Sequence, residues 1–238
     1  MKLRLLGING PFPESRGATS GYLLETEDGL FQFDLGSGVL SVLTSLTAPE
    51  SLDALFLSHW HFDHAADVPV LMYRLEALGK TLRVFAPEDA GSALFRLVSA
   101  SSAFSLTPVK PGQQLSIGGT SFSVTAARHP VPAVGYRISC GGRSLGYTGD
   151  TNTLPSLRDD FRGCHLLLAD GMFSSALWAE DKPHLSAALA AQLAEDSCSD
   201  QLVITHLNPT IPPESLLREA RSLHPATRLA ESGLLLTV

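Results

Sequence analysis

The chain has 238 residues, of which 44% are hydrophobic and 17% are charged, and its formal net charge is −7. This length is sufficient to bury a continuous core, and the composition excludes global disorder. The acidic balance excludes a broad nucleic-acid interface, which needs clustered lysines and arginines. No apolar run approaches the roughly 18 residues of a membrane span, and the three cysteines lack the spacing of a disulfide framework or a Cys-type zinc site. We therefore predict a cytoplasmic protein with no membrane partner.

The first third of the chain contains four short runs typical of strands, separated by glycine, proline and aspartate. These runs are KLRLLGI, GYLLET, LFQFDLG and LDALFLS, and a hairpin turn is predicted at Glu27–Gly29. Apolar residues then recur at helical spacing from Ala65 to Lys80, with Gly79 as the predicted end of the helix. A further strand, TLRVFAP, precedes a predicted helix from Pro87 to about Ala100.

The second half repeats this order of strands followed by helices. Its strands turn at two glycine pairs, Gly118–Gly119 and Gly141–Gly142, and continue in HLLLAD, QLVITH and the closing LLLTV. Helices are predicted near LPSLRDDF, from about Leu185 to Asp196, and over PPESLLREARSL. Such a chain is most economically folded as two sheets face to face with helices outside. We predict one α/β (α+β) domain over residues 1–238, a four-layer αββα sandwich.

The segment LSHWHFDHAAD places His59, His61, Asp63 and His64 within six positions, directly after a buried-type run. Since a strand sends every second side chain to the same face, His59 and His61 are predicted to converge on one point. Asp63 and His64 are predicted to lie on the loop before the next helix, where a second point can form. Buried imidazoles and carboxylates need partners, so this density indicates two adjacent metals.

Three more polar residues each follow a β-like run and precede a turn residue. They are His129 in VTAARHP, Asp150 in SLGYTGDT and His206 in LVITHLNP. If the strands are aligned, these residues lie at the same edge as the first cluster. Their shared context is the reason for adding them to the predicted site.

The motif HWHFDH matches the H-x-H-x-D-H signature of metallo-β-lactamase fold hydrolases, and TGDT and VITH are similar to the later motifs of that family. The resemblance implies an αββα sandwich with two metals, in which three residues hold one metal, three hold the other and one bridges them. The resemblance implies that the first metal is held by His59, His61 and His129. It implies that the second is held by Asp63, His64 and His206, and that Asp150 bridges the two. These ligand types favour two zinc ions, with Mn²⁺ or Fe²⁺ as alternatives. Such a pair shares a hydroxide of lowered pKa and clamps a reacting phosphate.

The stretch KPHLSAALAAQLAED resembles one in ribonuclease Z and its relatives, in which the histidine lies by the metals and assists as a proton donor. The resemblance gives this role to His184, because phosphodiester cleavage leaves an alkoxide that must be protonated. A helix cap is the alternative for this residue. We place Asp63 and His184 among the catalytic residues.

Four other residues are candidates for supporting roles in the site or for exclusion from it. Asp34, in a turn similar to the D-x-G turn of the family, is expected to support the metal-bearing loop, with an ordinary turn residue as the alternative. Asp170 stands where relatives often carry Glu, so no role is carried over to it. His165 and His224 are expected to lie outside the site.

The spacing between His129 and Asp150 bears on the substrate. Ribonuclease Z carries a long Gly-rich and basic arm between the corresponding motifs, whereas the 20 residues here predict a single hairpin. Together with the negative charge, this predicts a small phosphodiester such as a cyclic nucleotide, and no large RNA grip. Arg16, Arg128 and Arg137 are candidates to bind phosphate, but each also fits an ordinary surface arginine.

The sequence therefore favours a metal-dependent phosphodiesterase, and two alternatives stay open. An acyl or thioester hydrolase of the glyoxalase II or lactamase type would attack a carbonyl with the same metals, without needing a counterpart of His184. A non-catalytic metal-binding relative from cofactor biosynthesis would keep the fold alone. A redox di-iron protein is disfavoured because it usually carries Glu at the position of His61. A homodimer is left open.

Overall fold

Two seven-stranded β-sheets face each other in the computed structural model, which describes residues 1–238, and seven α-helices complete the fold. The first sheet contains β1 (Lys2–Gly7), β2 (Gly21–Glu25), β3 (Leu30–Phe33), β4 (Ala54–Phe56), β5 (Leu82–Pro87), β6 (Phe104–Val109) and β14 (Leu235–Thr237). The second contains β7 (Gln114–Ile117), β8 (Thr120–Ala126), β9 (Val134–Cys140), β10 (Arg143–Tyr147), β11 (Leu166–Asp170), β12 (Leu202–Thr205) and β13 (Thr227–Leu229). The helices are α1 (Val39–Thr44), α2 (Phe62–Ala65), α3 (Val68–Leu78), α4 (Ala93–Ala100), α5 (Leu157–Asp160), α6 (Ala187–Asp196) and α7 (Pro213–Arg221).

Each sheet joins an antiparallel part to a parallel part. The first has the order β14-β1-β2-β3-β4-β5-β6 and is parallel from β3 to β6, and the second has the order β13-β12-β11-β10-β9-β8-β7 and is parallel from β10 to β13. Parallel strands end at the same edge of a sheet, and the connections after them cross through helices or long loops. The loops after β3, β4, β10, β11 and β12 are therefore brought together at one side of the sandwich.

Aromatic side chains fill the space between the sheets. Phe56 stacks on Phe33 from the same sheet, with ring centroids 5.0 Å apart, and on Phe122 from the facing sheet, at 4.4 Å. The neighbours of Phe56 along the chain, Leu55 and Leu57, belong instead to the cluster between the first sheet and its helices. This alternation is the two-residue period of a strand with both faces covered. Full burial of one phenylalanine ring contributes about 3 kcal/mol to the free energy of folding.

Most of the predicted elements are present, and the hairpin turns at the two glycine pairs are confirmed. The predicted helix start at Pro87 is wrong: β5 continues to Pro87, and α4 begins only after Ser92, whose Oγ accepts a hydrogen bond from the Phe95 N–H at 3.3 Å. Two short elements were not predicted: α1, with six residues, and β13, with three. None of the helices has the length and apolar character needed to cross a bilayer.

Candidate metal centre

Seven histidine and aspartate side chains meet at the edge where the parallel strands of both sheets end. One group contains His59, His61 and His129, and the other contains Asp63, His64, Asp150 and His206. Within each group the nearest nitrogen or oxygen atoms all lie within 4.8 Å of one another. The structure thus brings together all seven residues that the sequence predicts as ligands, and divides them as the resemblance implies.

The backbone of the HWHFDH segment differs from the prediction. The strand β4 ends at Phe56, so His59 and His61 do not lie on a strand, and their convergence does not come from strand alternation. Asp63 and His64 lie on the one-turn helix α2 rather than on a loop. His61 is the extended residue directly before this helix, with ψ 152°, and its ring centroid lies 4.6 Å from that of His59.

The first group is a cluster of three imidazole nitrogens. His61 Nδ1 lies 3.0 Å from His59 Nε2 and 3.1 Å from His129 Nε2. Ligand nitrogens around a tetrahedral zinc are about 3.3 Å apart, so the spacing is that of a metal-binding triad. The outer nitrogens have partners of their own: Nδ1 of His59 lies 3.0 Å from Ser58 Oγ, and Nδ1 of His129 lies 3.2 Å from the Pro183 carbonyl oxygen. These contacts leave the inner nitrogens for a metal.

The second group combines imidazoles with carboxylates. Asp150 Oδ2 lies 3.2 Å from His64 Nε2 and 3.3 Å from His206 Nε2, and Asp63 Oδ2 lies 3.1 Å from His206 Nε2. The same oxygen of Asp150 lies 3.7 Å from His59 Nε2 in the first group. Asp150 is therefore placed between the two groups, and this donor set fits a second divalent ion.

Asp34 supports the second group from beneath. Its carboxylate accepts hydrogen bonds from His64 Nδ1 at 2.8 Å, from the hydroxyl of Ser58 at 2.8 Å and from the Ser58 N–H at 2.7 Å. The hydroxyl of Tyr147 donates a further bond. Asp34 is fully buried and has a positive φ of 51°, so these contacts hold it in a backbone region that few residues adopt. The expected supporting role of Asp34 is thus visible as direct contacts.

Burial and charge prepare the side chains for metal binding. Burial lowers the pKa of His61 and His129, and lowers that of His59 well below its ordinary value. Metal ligation requires neutral imidazoles and ionised carboxylates. Burial opposes ionisation of Asp150, but the surrounding histidines, with His206 first, outweigh it and hold the pKa of this carboxyl well below its ordinary value. His64 is the exception, because Asp150 and Asp34 outweigh burial and raise its pKa well above the ordinary value, so a metal there would have to displace a proton.

His184 lies beside both groups but in a different contact. Its Nδ1 donates to Asp170 Oδ2 at 2.8 Å and lies 3.8 Å from Asp150 Oδ2, and its ring stacks on His206 with centroids 4.8 Å apart. Burial disfavours the imidazolium, but Asp170 and Asp150 outweigh burial and raise the pKa of His184 to about 9. The N-cap of α6 is Ser186, so the alternative of a helix cap is wrong for His184.

Asp170 is a member of the site that was not predicted from the sequence. Its carboxylate accepts from His184, and it also accepts from the N–H of Thr151 at 3.2 Å and of Met172 at 3.2 Å. The signals in the sequence were its place at the end of the HLLLAD strand and its position where relatives often carry Glu. His165 and His224 hydrogen-bond elsewhere, to Ser144 and to the Thr227 region, as expected of residues outside the site.

Two of the three candidate arginines, Arg128 and Arg137, donate to backbone carbonyl oxygens. The guanidinium of Arg128 donates to the carbonyl oxygens of Thr153 and Glu180, and that of Arg137 donates to the carbonyl oxygen of Arg162. These arginines act within the structure rather than as free phosphate contacts.

Gly10 closes one side of the centre. A Cβ at this position would lie 2.0 Å from His206 Nε2 and 2.2 Å from its Cε1. Only a glycine therefore allows the chain after β1 to pass this close to the histidine ring.

A profile of the family described as the β-lactamase superfamily domain matches residues 36–207, which include all seven clustered residues. The chain belongs to this superfamily. Its members bind divalent metals, and the protein is accordingly a metal-dependent hydrolase with the metallo-β-lactamase fold.

Two relatives and one structural neighbour are similar to the chain over nearly its whole length. The probable metallo-hydrolase YhfI of Bacillus subtilis is 30% identical over 240 residues, covering 98% of each chain, and its crystal structure matches with a TM-score of 0.92 at 28% identity over 99% of this chain and 98% of that one. Ribonuclease Z of Methanopyrus kandleri is 27% identical over 274 residues, covering 99% of this chain and 97% of the relative. The crystal structure of a diphosphatase from the PhnP family shares the fold, with a TM-score of 0.77 at 20% identity over 100% of this chain and 97% of that one.

Proposed function

We propose that this hydrolase is a phosphodiesterase that acts on small or cyclic phosphodiesters. The observation that carries the proposal is the contact between His184 and Asp170 beside the metal-binding groups. Hydrolysis of a phosphodiester expels an alkoxide, which needs a proton, whereas attack on an activated carbonyl does not depend on such a donor at this place.

Two zinc ions are the proposed cofactors. His59, His61 and His129 would hold one, Asp63, His64 and His206 would hold the other, and Asp150 would contact both. When bound, such a pair activates water and neutralises the charge on the phosphate oxygens. The imidazole-rich donor set supports zinc over harder ions, with Mn²⁺ or Fe²⁺ as the alternatives.

His184 is the proposed proton donor. Its Nδ1 is held by Asp170, and its Nε2 makes no hydrogen bond within the protein, which leaves that nitrogen for a substrate oxygen. With its pKa raised to about 9, the imidazole carries its proton at neutral pH. It can therefore protonate the leaving oxygen as the bond to phosphorus breaks.

The connection between β9 and β10 supports a small substrate. These strands form a hairpin closed by Gly141 and Gly142, so no arm follows His129. The net charge of −7 also opposes binding to a long polyanion. The similarity to ribonuclease Z thus supports phosphodiester cleavage as the reaction. The short hairpin and the negative net charge support a cyclic nucleotide or another small diester as the substrate.

The test is a comparison of substrates on protein loaded with Zn²⁺ or Mn²⁺. We expect hydrolysis of bis(p-nitrophenyl) phosphate and of a 2′,3′-cyclic nucleotide, and no comparable hydrolysis of a thioester or a β-lactam. Thioester turnover without phosphodiester turnover would replace the proposal with the acyl hydrolase alternative. Metal-loaded protein that turns over none of these compounds would support the non-catalytic alternative.

A further inference from the structure

Residues 171–186 connect β11 to α6 and pass along the metal centre; we refer to them as the connecting segment. The segment contains His184, and its Pro183 carbonyl oxygen accepts from His129 Nδ1 at 3.2 Å. The path of the connecting segment therefore determines the positions of both His184 and His129. It forms no helix, and a single isolated bridge between Phe173 and Ser186 joins its two ends. The residues between the two ends are held by turns and by contacts with other parts of the chain.

The side chain of Asn152 supplies the central contacts of this segment. It is fully buried, and its amide nitrogen lies within hydrogen-bond distance of three backbone carbonyl oxygens, those of Ala179 (3.3 Å), Glu180 (3.2 Å) and Lys182 (2.6 Å). Its amide oxygen accepts from the indole N–H of Trp178 at 3.2 Å. Both ends of the carboxamide are thus used, and four residues of the segment are held by one side chain.

The backbone of Asn152 is tied to the metal centre from the other side. It follows Asp150 by two residues, and its N–H donates to the Arg128 carbonyl oxygen at 3.0 Å, next to His129. The intervening Thr151 donates from its N–H to Asp170, the partner of His184. The residues that hold the connecting segment and those that hold the ligands therefore lie on the same short stretch of chain.

We propose that Asn152 is a positioning residue, which holds the connecting segment so that His184 faces the substrate and His129 keeps its metal-facing nitrogen in place. The kinetic part of this inference rests on the proposed phosphodiesterase function, whereas the structural part does not. Asn152 itself touches neither the reacting atoms nor the predicted metals.

The structural part is tested by amide hydrogen exchange on Asn152→Ala and Asn152→Asp. Both variants lose the amide donor, while Asn152→Asp keeps an acceptor for Trp178. We expect exchange in residues 177–184 to become about tenfold faster, with the strands of both sheets unchanged, and zinc affinity to fall about tenfold. Ser175→Ala is the matched control, because it removes one bond to Glu219 at the opposite end of the same segment. Unchanged exchange and zinc affinity in a folded Asn152 variant would overturn the inference, whatever the substrate.

The kinetic part is tested with two leaving groups. p-Nitrophenolate leaves without a proton, whereas the ribose alkoxide of a 2′,3′-cyclic nucleotide needs one. We expect Asn152→Ala to lower kcat about 100-fold on the cyclic nucleotide and only a few-fold on bis(p-nitrophenyl) phosphate, with little change in KM. An equal loss on both substrates would show a general structural effect and overturn the link to His184. If the wild-type protein cleaves neither, the proposed function fails while the exchange and zinc measurements still decide the position of the segment.

Discussion

His184 Nδ1 lies 2.8 Å from Asp170 Oδ2, and the pair stands at the edge of the metal centre, where His184 is only 3.8 Å from Asp150. One nitrogen of this buried imidazole is held by a carboxylate, and the other has no hydrogen-bond partner. The ring is therefore arranged to donate a proton from Nε2. This arrangement leads to the first two predictions.

Replacement of the proton donor should separate rate from metal binding. His184→Ala is expected to keep both metals and to lower kcat about 100-fold on a 2′,3′-cyclic nucleotide, because the leaving alkoxide loses its acid. Metal content by elemental analysis and steady-state kinetics check this expectation. Full activity of the variant would remove His184 from the mechanism, and loss of metal would make it a ligand instead.

The pH dependence of activity should depend on the charge of Asp170, the carboxylate beside His184. Because its folded pKa is raised to about 9, the protonated form persists through neutral pH, and both activity and the stability from the Asp170 contact should fall as pH rises through about 9. Asp170→Asn removes the charge that favours protonation, so the alkaline fall in kcat/KM should move to lower pH. A profile that is the same in wild type and variant would contradict this assignment.

Loss of one ligand should lower both metal content and stability. His61→Ala removes the nitrogen that lies 3.0 Å from His59 and 3.1 Å from His129, and we expect loss of at least the metal held by these three histidines. Metal at 100 times its Kd contributes about 3 kcal/mol to folding, so removal by a chelator should lower Tm by about 5 °C or more. His165→Ala, outside the site, is the control and should retain the wild-type metal content and its response to the chelator.

The close approach of Gly10 to His206 gives a prediction that uses no ligand substitution. Gly10→Ala would place a methyl group 2.0 Å from His206 Nε2, so the ring must move and the second metal should be bound at least tenfold more weakly. Isothermal titration with Zn²⁺ measures the change. Gly91→Ala is the matched control, because its nearest neighbour is Asp89 Oδ1 at 3.2 Å and it lies outside the site. Equal zinc affinity in both variants would show that the loop moves instead of the ligand.

The sequence was sufficient to predict the sandwich and the residues that gather in the site, because each lies directly after a strand-like apolar run. It was insufficient for the local backbone at His59 and His61. The run ALFL is apolar throughout, but β4 pairs with β5 only through Leu55 and Phe56, and the chain then leaves the sheet. Where a strand stops depends on its neighbour, which the local sequence does not contain.

The contacts of Asp170 and Asn152 also could not be predicted from the sequence. Asp170 meets His184 across a 14-residue separation, and Asn152 meets the carbonyl oxygens of a segment about 30 residues away. Both contacts depend on the path of the connecting segment, which has no periodic pattern. The type of residue at each position gave no warning, since aspartate and asparagine are ordinary in turns.

The division of the seven clustered residues between the two sheets has a consequence for biogenesis. His59, His61, Asp63 and His64 follow a strand of the first sheet, whereas His129, Asp150 and His206 follow strands of the second. Neither half of the polypeptide carries a complete coordination sphere, so tight capture of the ions has to wait until the halves have docked. Metal loading is then a late maturation step, and a chain that holds both metals is one whose two halves have already docked.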